Sequence, residues 1–356
     1  MDYFLYSLAL IGGLIILIKG ADFVVDSSST ICKRLKISPI IIGLTVLAIG
    51  TSLPELSVSI NSVLQGESEI ALGNIIGSNI SNIALIYGIS LIMVPVVFNS
   101  QDNVLESIFF LASTLGLLFF FIFFGENFQL MRIEGIILFL GFIAYMVLLI
   151  IKEKKKMNKL KKFPLLEEVN NPPSQELVDP ANNTPASPQK KALPFYLVII
   201  LLFVGLIAVI GGGILVTNGA SFLADKLLVG VFKVEPAFSK TFIGLTVVAL
   251  GTSLPELITT IVACRKKEPE LGFGNIVGSN IANILLILGL SATIQPLSIS
   301  FYLVIDAIIL SVLSVGFYLL FRFKKSLGKK TGFLLLGFFL FYYVYLFLKT
   351  FGVIKF

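Results

Sequence analysis

The chain has 356 residues, of which 56% are hydrophobic and only 13% charged, with a mean hydropathy of +0.97. A soluble globular chain carries about 25% charged residues, so this composition predicts a membrane protein. Histidine is absent, which excludes Ser-His and Cys-His nucleophilic pairs, histidine proton shuttles and zinc sites built on imidazole. The net charge of +6 does not indicate a nucleic-acid partner, because the basic residues fall in short clusters between apolar stretches.

Ten apolar stretches are long enough to cross the hydrocarbon of a bilayer, which takes about 20 residues. They predict transmembrane helices near residues 4–26, 39–63, 70–95, 104–124, 130–151, 194–217, 238–263, 271–293, 301–321 and 332–350. The N-terminus has Asp2 but no Lys or Arg, which disfavours a cleaved signal peptide. The two cysteines, Cys32 and Cys264, are too few and too far apart for a disulfide framework.

The distribution of Lys and Arg predicts the orientation of these helices. If the N-terminus is outside, twenty basic residues lie in cytoplasmic loops and six in outside segments, with Lys19 inside the first span. We therefore expect a multi-pass protein of the plasma membrane with both termini outside. The linker 152–193 would be cytoplasmic and disordered, since a lysine run is followed by Pro, Asn, Ser and acidic residues. It separates a first transmembrane repeat, 1–151, from a second, 194–356.

The two halves of the chain repeat each other at an offset of 201 residues. GTSLPEL, which starts at Gly50, recurs from Gly251, and GNIIGSNISNI at Gly73 recurs as GNIVGSNIANI at Gly274. In the 53-residue segment that begins at Gly43, 29 positions are identical to the second copy. Five spans in each half is an odd number, so the second half must enter the membrane in the opposite orientation. The predicted fold is an all-α membrane protein with ten transmembrane helices in two inverted five-helix repeats, which is typical of secondary transporters.

Polar residues recur on one face of the second and third predicted spans. Ala48, Thr51, Ser52 and Glu55 follow helical spacing, and Pro54 is expected to free backbone carbonyls around Ala48 to Thr51. The third span carries Asn74, Ser78 and Asn82 at a spacing of four, and the second half repeats the whole set as Ala249, Thr252, Ser253, Glu256, Asn275, Ser279 and Asn283.

The duplicated glutamates indicate a cation site. A carboxylate at the bilayer centre costs about 2.5–3.5 kcal/mol, so Glu55 and Glu256 need a compensating positive charge. Lys19 does not recur, because Asn218 precedes the Gly-Ala pair of the second half that matches Gly20 and Ala21. The oxygens nearby come from carboxylates, hydroxyls, amides and carbonyls, a set that suits Na⁺ and Ca²⁺. A single Ser, Thr or Asn in a membrane helix is more often structural, but two acids in identical heptapeptides favour a site.

GTSLPE followed by GNxxGSN, present in both halves, resembles the calcium/cation antiporter superfamily, in particular sodium/calcium exchangers of the prokaryotic type. The resemblance covers almost the whole chain and implies a transporter rather than an enzyme. It implies that spans two, three, seven and eight enclose the cation sites and that spans one and six slide during alternating access. The implied metal ligands are the carboxylates of Glu55 and Glu256, hydroxyl or carbonyl oxygens of Thr51, Ser52, Thr252 and Ser253, carbonyls of Ala48 and Ala249, and the side chains of Ser78, Asn82, Ser279 and Asn283.

The resemblance also bears on the coupling ion. Proton-coupled relatives typically carry Glu where Gly77 and Gly278 stand, and potassium-dependent relatives carry Asp where Asn283 stands. The expected activity is K⁺-independent exchange of Na⁺ for Ca²⁺, with H⁺/Ca²⁺ antiport in the same fold as the alternative. The family's usual three Na⁺ exceed two carboxylates by one charge, so transport should be electrogenic. We expect Ca²⁺ and Na⁺ as transported ions, the lipid bilayer as surroundings, no cofactor, and no obligate protein partner.

Two other classes of protein fit the sequence less well. A passive cation channel is disfavoured by inverted halves around a closed polar cluster, and counterflow measurements would separate it from an exchanger. An intramembrane hydrolase needs a base near Ser52 or Ser253, and only the unduplicated Lys19 is available.

Overall fold

The structure is a computed structural model that describes residues 2–97, 104–124, 129–162, 193–233, 247, 249–324 and 326–350. The helices are α1 Asp2–Leu35, α2 Pro39–Thr51, α3 Leu53–Leu64, α4 Ser68–Met93, α5 Val104–Phe119, α6 Arg132–Lys162, α7 Phe195–Asp225, α8 Ala249–Thr252, α9 Leu254–Arg265, α10 Pro269–Ile294, α11 Phe301–Phe323 and α12 Lys329–Thr350. Four strands of two residues each are β1 Val96–Val97, β2 Gln129–Leu130, β3 Leu297–Ser298 and β4 Ser326–Leu327.

The described helices are those of a multi-pass membrane protein. Eight of them are long and apolar enough to cross a membrane, and α2 with α3, bent by 43°, make a ninth if the pair counts as one span. These nine coincide with nine of the ten predicted spans. The remaining prediction, 238–263, falls partly outside the described residues, and α8 and α9 are its described part.

Helix α6 extends beyond its predicted span, 130–151. The prediction of disorder from residue 152 is wrong for residues 152–162, which continue the helix to Lys162. Lys, Glu, Met and Leu are strong helix formers, and bilayer thickness limits the apolar part of a helix rather than its length. Within this extension the buried Glu153 accepts a hydrogen bond from the Ser38 amide at 3.0 Å. The rest of the predicted linker, residues 163–192, lies outside the described residues.

Helices α1 and α7 contact each other through glycines. A Cβ atom added at Gly20 would lie 2.8 Å from the Val209 nitrogen, and one at Gly205 would lie 2.9 Å from the Gly20 oxygen. At Gly212 the added atom would lie 2.6 Å from the Leu17 nitrogen. The two backbones therefore touch along the seam, as small residues allow in membranes.

We expect Gly212→Ala to lower the melting temperature of the detergent-solubilised protein, because overpacking costs about 1–3 kcal/mol. The adjacent Gly211 gives a matched control, since a Cβ atom there would meet nothing within 4 Å. Gly211→Ala should melt at or above the wild-type temperature, because Ala is favoured over Gly in a helix by about 0.5–1 kcal/mol. Equal melting temperatures for the two variants would contradict direct backbone contact at this seam.

Helices α2 and α10, which belong to different halves, cross at a second glycine contact. A Cβ atom added at Gly43 would lie 2.5 Å from the Leu271 carbonyl oxygen. One added at Gly278 would lie 2.6 Å from the Ala48 Cβ. The crossing thus brings the second span of the first half directly against the glycine-rich and asparagine-rich helix of the second half.

Polar contacts join the end of α1 to the turn between α9 and α10. The Lys266 ammonium lies 3.1 Å from the Asp22 carboxylate and 2.8 Å from that of Asp26. The Ser29 hydroxyl donates to the Glu268 carboxylate. Both strand pairs also connect the halves, since β1 pairs antiparallel with β4 and β2 with β3.

Each half carries an ion pair with a buried acid between its last two helices. The Lys152 ammonium of α6 lies 2.7 Å from the Glu106 carboxylate of α5, and Lys349 of α12 lies 2.9 Å from Asp306 of α11. Both acids are buried. The lysine side chains remain 33% and 21% exposed, so each pair links the two helices of its hairpin with less energy than a fully buried pair.

Candidate cation site

The second span is broken at Ser52. Helix α2 ends at Thr51, and α3 begins at the next position after the break, with Pro54 in its first turn. Proline has no amide hydrogen and its ring clashes with the preceding turn, which ends α2. The break places Glu55 in the first turn of α3, where the helix dipole favours a negative charge.

The second half has the same break at Ser253. Its backbone dihedral angles are φ −87° and ψ 4°, against φ −86° and ψ 9° at Ser52. Pro255 and Glu256 follow in the first turn of α9. The repeated motif therefore gives the same local structure twice, and each half presents one glutamate at a helix N-terminus.

Each glutamate contacts the serine at the break of the opposite half. The Ser52 hydroxyl donates to Glu256 Oε1 at 2.9 Å, and the Ser253 hydroxyl donates to Glu55 Oε1 at 3.3 Å. Glu55 is 1% exposed and Glu256 0% exposed. The two carboxylates therefore lie in one polar cluster that is closed to solvent and built by both halves.

Helices α4 and α10 each add a serine to this cluster. Ser78 donates to Glu55 Oε1 and Ser279 donates to Glu256 Oε1, both at 3.5 Å. Ser78 also accepts a hydrogen bond from Ser253 at 3.3 Å, which links α4 to the break in the other half. The hydroxyls surround Oε1 of each carboxylate.

The backbone carbonyl of Ala48 reaches the same cluster. It accepts the Ser52 amide at 3.1 Å and lies 3.4 Å from the Ser279 hydroxyl, whose single hydrogen it shares with Glu256. The prediction of free carbonyls around Ala48 to Thr51 is therefore wrong for Ala48, whose helical donor is Ser52. Pro54, which has no amide hydrogen, instead leaves the Gly50 carbonyl without its helical donor.

Several buried oxygens of the predicted ligands lack a hydrogen-bond partner. They are Oε2 of Glu55, Oε2 of Glu256, Oδ1 of Asn82 and Oδ1 of Asn283. Buried acceptors without donors are costly, and a cation can satisfy them. Among the described residues, neither glutamate forms an ion pair with Lys or Arg. An all-oxygen site with uncompensated carboxylates suits hard cations such as Na⁺ and Ca²⁺.

The two threonines at the breaks bond to asparagines of the opposite half. The Thr51 hydroxyl donates to Asn275 Oδ1 at 3.1 Å, and the Thr252 hydroxyl donates to Asn74 Oδ1 at 3.5 Å. Asn74 and Asn275 lie on the predicted polar face but are missing from the predicted ligand set. Their place in the repeated motif was visible in the sequence, whereas their threonine partners in the other half were not.

Asn79 is a further buried residue that the predicted ligand set omits. Its Oδ1 accepts a hydrogen bond from Asn283 Nδ2 at 3.2 Å, so the two amides join α4 to α10. This contact orients the Asn283 side chain and leaves its oxygen without a donor. The only signal for Asn79 in the sequence is its recurrence within GSN as Asn280.

The structure brings most of the predicted ligands together. Two hydrogen-bonded groups contain the two glutamates, the four serines and one carbonyl: Glu55 with Ser253 and Ser78, and Glu256 with Ser52, Ser279 and the Ala48 carbonyl. Thr51, Thr252, Asn82 and Asn283 are buried on the same or adjoining helices. Ala249 is the first residue of α8, and its side chain lies outside the described part of the chain.

Buried carboxylates surrounded by hydroxyls, within a bundle of membrane-length helices, define a cation-binding membrane protein. A family model described as "Sodium/calcium exchanger protein" matches residues 5–151 and 196–348. The chain belongs to the sodium/calcium exchanger family. The resemblance inferred from the duplicated motifs is thereby confirmed.

Individual relatives cover most of the chain. The sodium/calcium exchanger MaX1 of Methanosarcina acetivorans is 32% identical over 315 residues, which are 82% of this chain and 84% of that protein. The inner membrane protein YrbG of Escherichia coli is 34% identical over 287 residues, 81% of this chain and 79% of YrbG. The solved structure of the sodium-calcium exchanger NCX_Mj soaked with Na⁺ and Sr²⁺ has a TM-score of 0.74 and 26% identity, covering 95% of this chain and 98% of that one.

Proposed function

We propose that this chain is a secondary active antiporter that exchanges Na⁺ for Ca²⁺ across the plasma membrane. The observation that carries the proposal is the crossed pair of contacts, Ser52 with Glu256 and Ser253 with Glu55. A single cluster with two carboxylates holds either Ca²⁺ or Na⁺ but not a full set of both. Without an ion, the two carboxylates are uncompensated, which opposes a return of the empty site across the membrane. Each return then carries the competing ion, so the two ions travel in turn and in opposite directions, which is antiport.

The two halves are inverted repeats in this proposal, and contacts between helix ends support it. Helix α1 ends beside Glu268, just before α10 begins, through the Ser29 contact. The broken span α2 and α3 then crosses to the opposite face of the bundle, where α4 begins. Helices α4 and α10 carry the same motif and so begin on opposite faces, as inverted copies must.

Alternating access is the proposed mechanism, with α1 and α7 as the moving pair. Helix α7 contacts both breaks: the Leu206 side chain would lie 2.7 Å from a Cβ added at Gly50, and a Cβ at Gly213 would lie 3.3 Å from the Pro255 ring. A shift of α7 along its axis changes the packing at both breaks at once. Both termini outside and a cytoplasmic linker at 152–193 complete the proposed arrangement, since the basic residues favour it.

Na⁺ is the proposed coupling ion because the motifs lack the acidic residues of proton-coupled and potassium-dependent relatives. Gly77 and Gly278 occupy the places where proton-coupled relatives have Glu, so the motif itself offers no extra carboxylate to carry a proton. Asn283 stands where potassium-dependent relatives have Asp, and its amide bonds to Asn79. The proposed exchange is therefore independent of K⁺.

Ca²⁺ uptake into proteoliposomes tests the proposal. Vesicles loaded with Na⁺ should accumulate Ca²⁺ when diluted into Na⁺-free buffer, and vesicles loaded with K⁺ or held at an imposed pH gradient should not. Protein-free liposomes are the control. Uptake driven by a pH gradient without Na⁺ would indicate H⁺/Ca²⁺ antiport instead. Ca²⁺ entry that needs no counter-ion gradient would contradict antiport and indicate a channel.

A further inference from the structure

Asn275 links the break of one half to the glutamate helix of the other. The Thr51 hydroxyl, at the end of α2, donates to Asn275 Oδ1 at 3.1 Å. The opposite end of the same amide, Nδ2, donates to the Thr260 hydroxyl of α9 at 3.5 Å. All three side chains are buried. Thr260 lies four residues after Glu256, on the same face of α9.

Asn74 makes the equivalent link from α4. Its Nδ2 donates to the Glu55 backbone carbonyl at 3.2 Å and to the Ser59 hydroxyl at 3.1 Å. Its Oδ1 accepts the Thr252 hydroxyl at 3.5 Å. Asn74 corresponds to Asn275 at the offset of the repeat, 201 residues, and Ser59 corresponds to Thr260. The same arrangement therefore occurs twice, once across each interface between the halves. In each, an asparagine joins a threonine of the opposite half to a hydroxyl of its own half, and we call these three residues a bracket.

An amide side chain suits this bracket because it donates at one end and accepts at the other. It therefore holds hydroxyls of two helices at a fixed separation. The bracket Thr51–Asn275–Thr260 spans the same two helices as the contact between Ser52 and Glu256. The separation that the amide sets is thus the separation between a serine hydroxyl and a carboxylate in the cation site.

We propose that Asn74 and Asn275 are positioning residues for ion exchange. They take up the hydroxyl hydrogens of Thr51 and Thr252 and set the spacing of the oxygens that bind the ion, without binding the ion themselves. This inference rests on the proposed Na⁺/Ca²⁺ exchange. A hydroxyl that donates its hydrogen keeps its oxygen lone pairs, so Thr51 and Thr252 can still bind the ion, in the orientation that the asparagines set. Spacing matters because selectivity among cations depends on cavity size and rigidity.

A double-mutant cycle on Na⁺-driven Ca²⁺ uptake tests the bracket. Thr51→Val and Asn275→Ala should each raise the KM for Ca²⁺ by about three- to tenfold, the range for one buried hydrogen bond, with a smaller change in kcat. The double variant should match the more severe single variant, because the two side chains act as one unit. If Thr51→Val raises KM by the same factor in the Asn275→Ala background, the hydroxyl acts independently of Asn275 and the proposal is wrong.

Two further variants separate positioning from packing. Thr51→Ser keeps the hydroxyl and should retain the wild-type KM, whereas a KM like that of Thr51→Val would show that only the methyl group matters. Asn61→Ala, at an exposed asparagine on α3, should also leave KM unchanged. If Asn275→Ala does not fold, the cycle of Asn74→Ala with Thr252→Val applies the same criterion. Absence of Na⁺-driven uptake by the wild type would instead overturn the proposed function.

Discussion

Glu55→Gln and Glu256→Gln should each reduce Na⁺-driven Ca²⁺ uptake to the level of protein-free liposomes. Glutamine keeps the size of the side chain and the oxygen that accepts from Ser253 or Ser52, but it removes one negative charge. Bound Ca²⁺ then carries an uncompensated charge into the bilayer. At about 2.5–3.5 kcal/mol for such a charge, affinity falls roughly 60- to 300-fold, before any loss in the transport step.

A surface glutamate of the same helical region is the control for this prediction. Glu69 is exposed in the first turn of α4, so Glu69→Gln should transport at the wild-type rate. Melting temperatures near that of the wild type would show that the inactive variants are folded, since the hydrogen-bond acceptor is retained. Near-normal flux in either Glu55→Gln or Glu256→Gln would contradict the assignment of both carboxylates to the site.

Nine of the ten predicted spans and the buried position of the two glutamates could be predicted because both depend on one-dimensional patterns. Apolar length sets a span, and a polar residue repeated at helical spacing identifies a face. The motif also contains its own helix break, since Pro54 and Pro255 end the preceding helices wherever the rest of the chain packs. For these features local sequence is sufficient.

Partners across the two halves could not be predicted, because they depend on how separate helices pack. Nothing in the spacing of Thr51 indicates that its hydroxyl donates to Asn275. The Ala48 carbonyl was predicted free because a proline follows, but its donor is the Ser52 amide, which the proline does not affect. Asn79 was omitted because its partner, Asn283, lies on another helix.

The lower limit of the predicted linker was wrong for a different reason. Charge and apolar length locate the membrane boundary of α6, but they do not end a helix. Residues 152–162 contain no proline or glycine, and Glu153 gains a hydrogen bond from Ser38. A helix that begins in the bilayer can therefore continue into the polar region, as α6 does to Lys162.

Ca²⁺ uptake should also respond strongly to membrane potential. The cluster contains two carboxylates, while Asn82 and Asn283 are neutral. One Ca²⁺ would make the site neutral, and the three Na⁺ that the family resemblance implies would give it a net charge of +1. Each cycle that brings Ca²⁺ into a Na⁺-loaded vesicle then moves one positive charge outward. The free energy involved is about 2.3 kcal/mol per 100 mV, or roughly a 50-fold change in the equilibrium Ca²⁺ ratio.

The direction of net charge movement and the transport step that carries the charge can both be measured. With the potential set by a K⁺ gradient and an ionophore, an inside-positive potential should promote Ca²⁺ uptake and an inside-negative one should oppose it. Isotopic Ca²⁺/Ca²⁺ exchange should be insensitive to potential, because the Ca²⁺-loaded site is neutral. Asn283→Asp adds a charge, so the same Ca²⁺/Ca²⁺ exchange should become voltage-dependent. Net uptake that ignores the potential would mean electroneutral exchange of two Na⁺ for each Ca²⁺, in which the two carboxylates are matched by both ions.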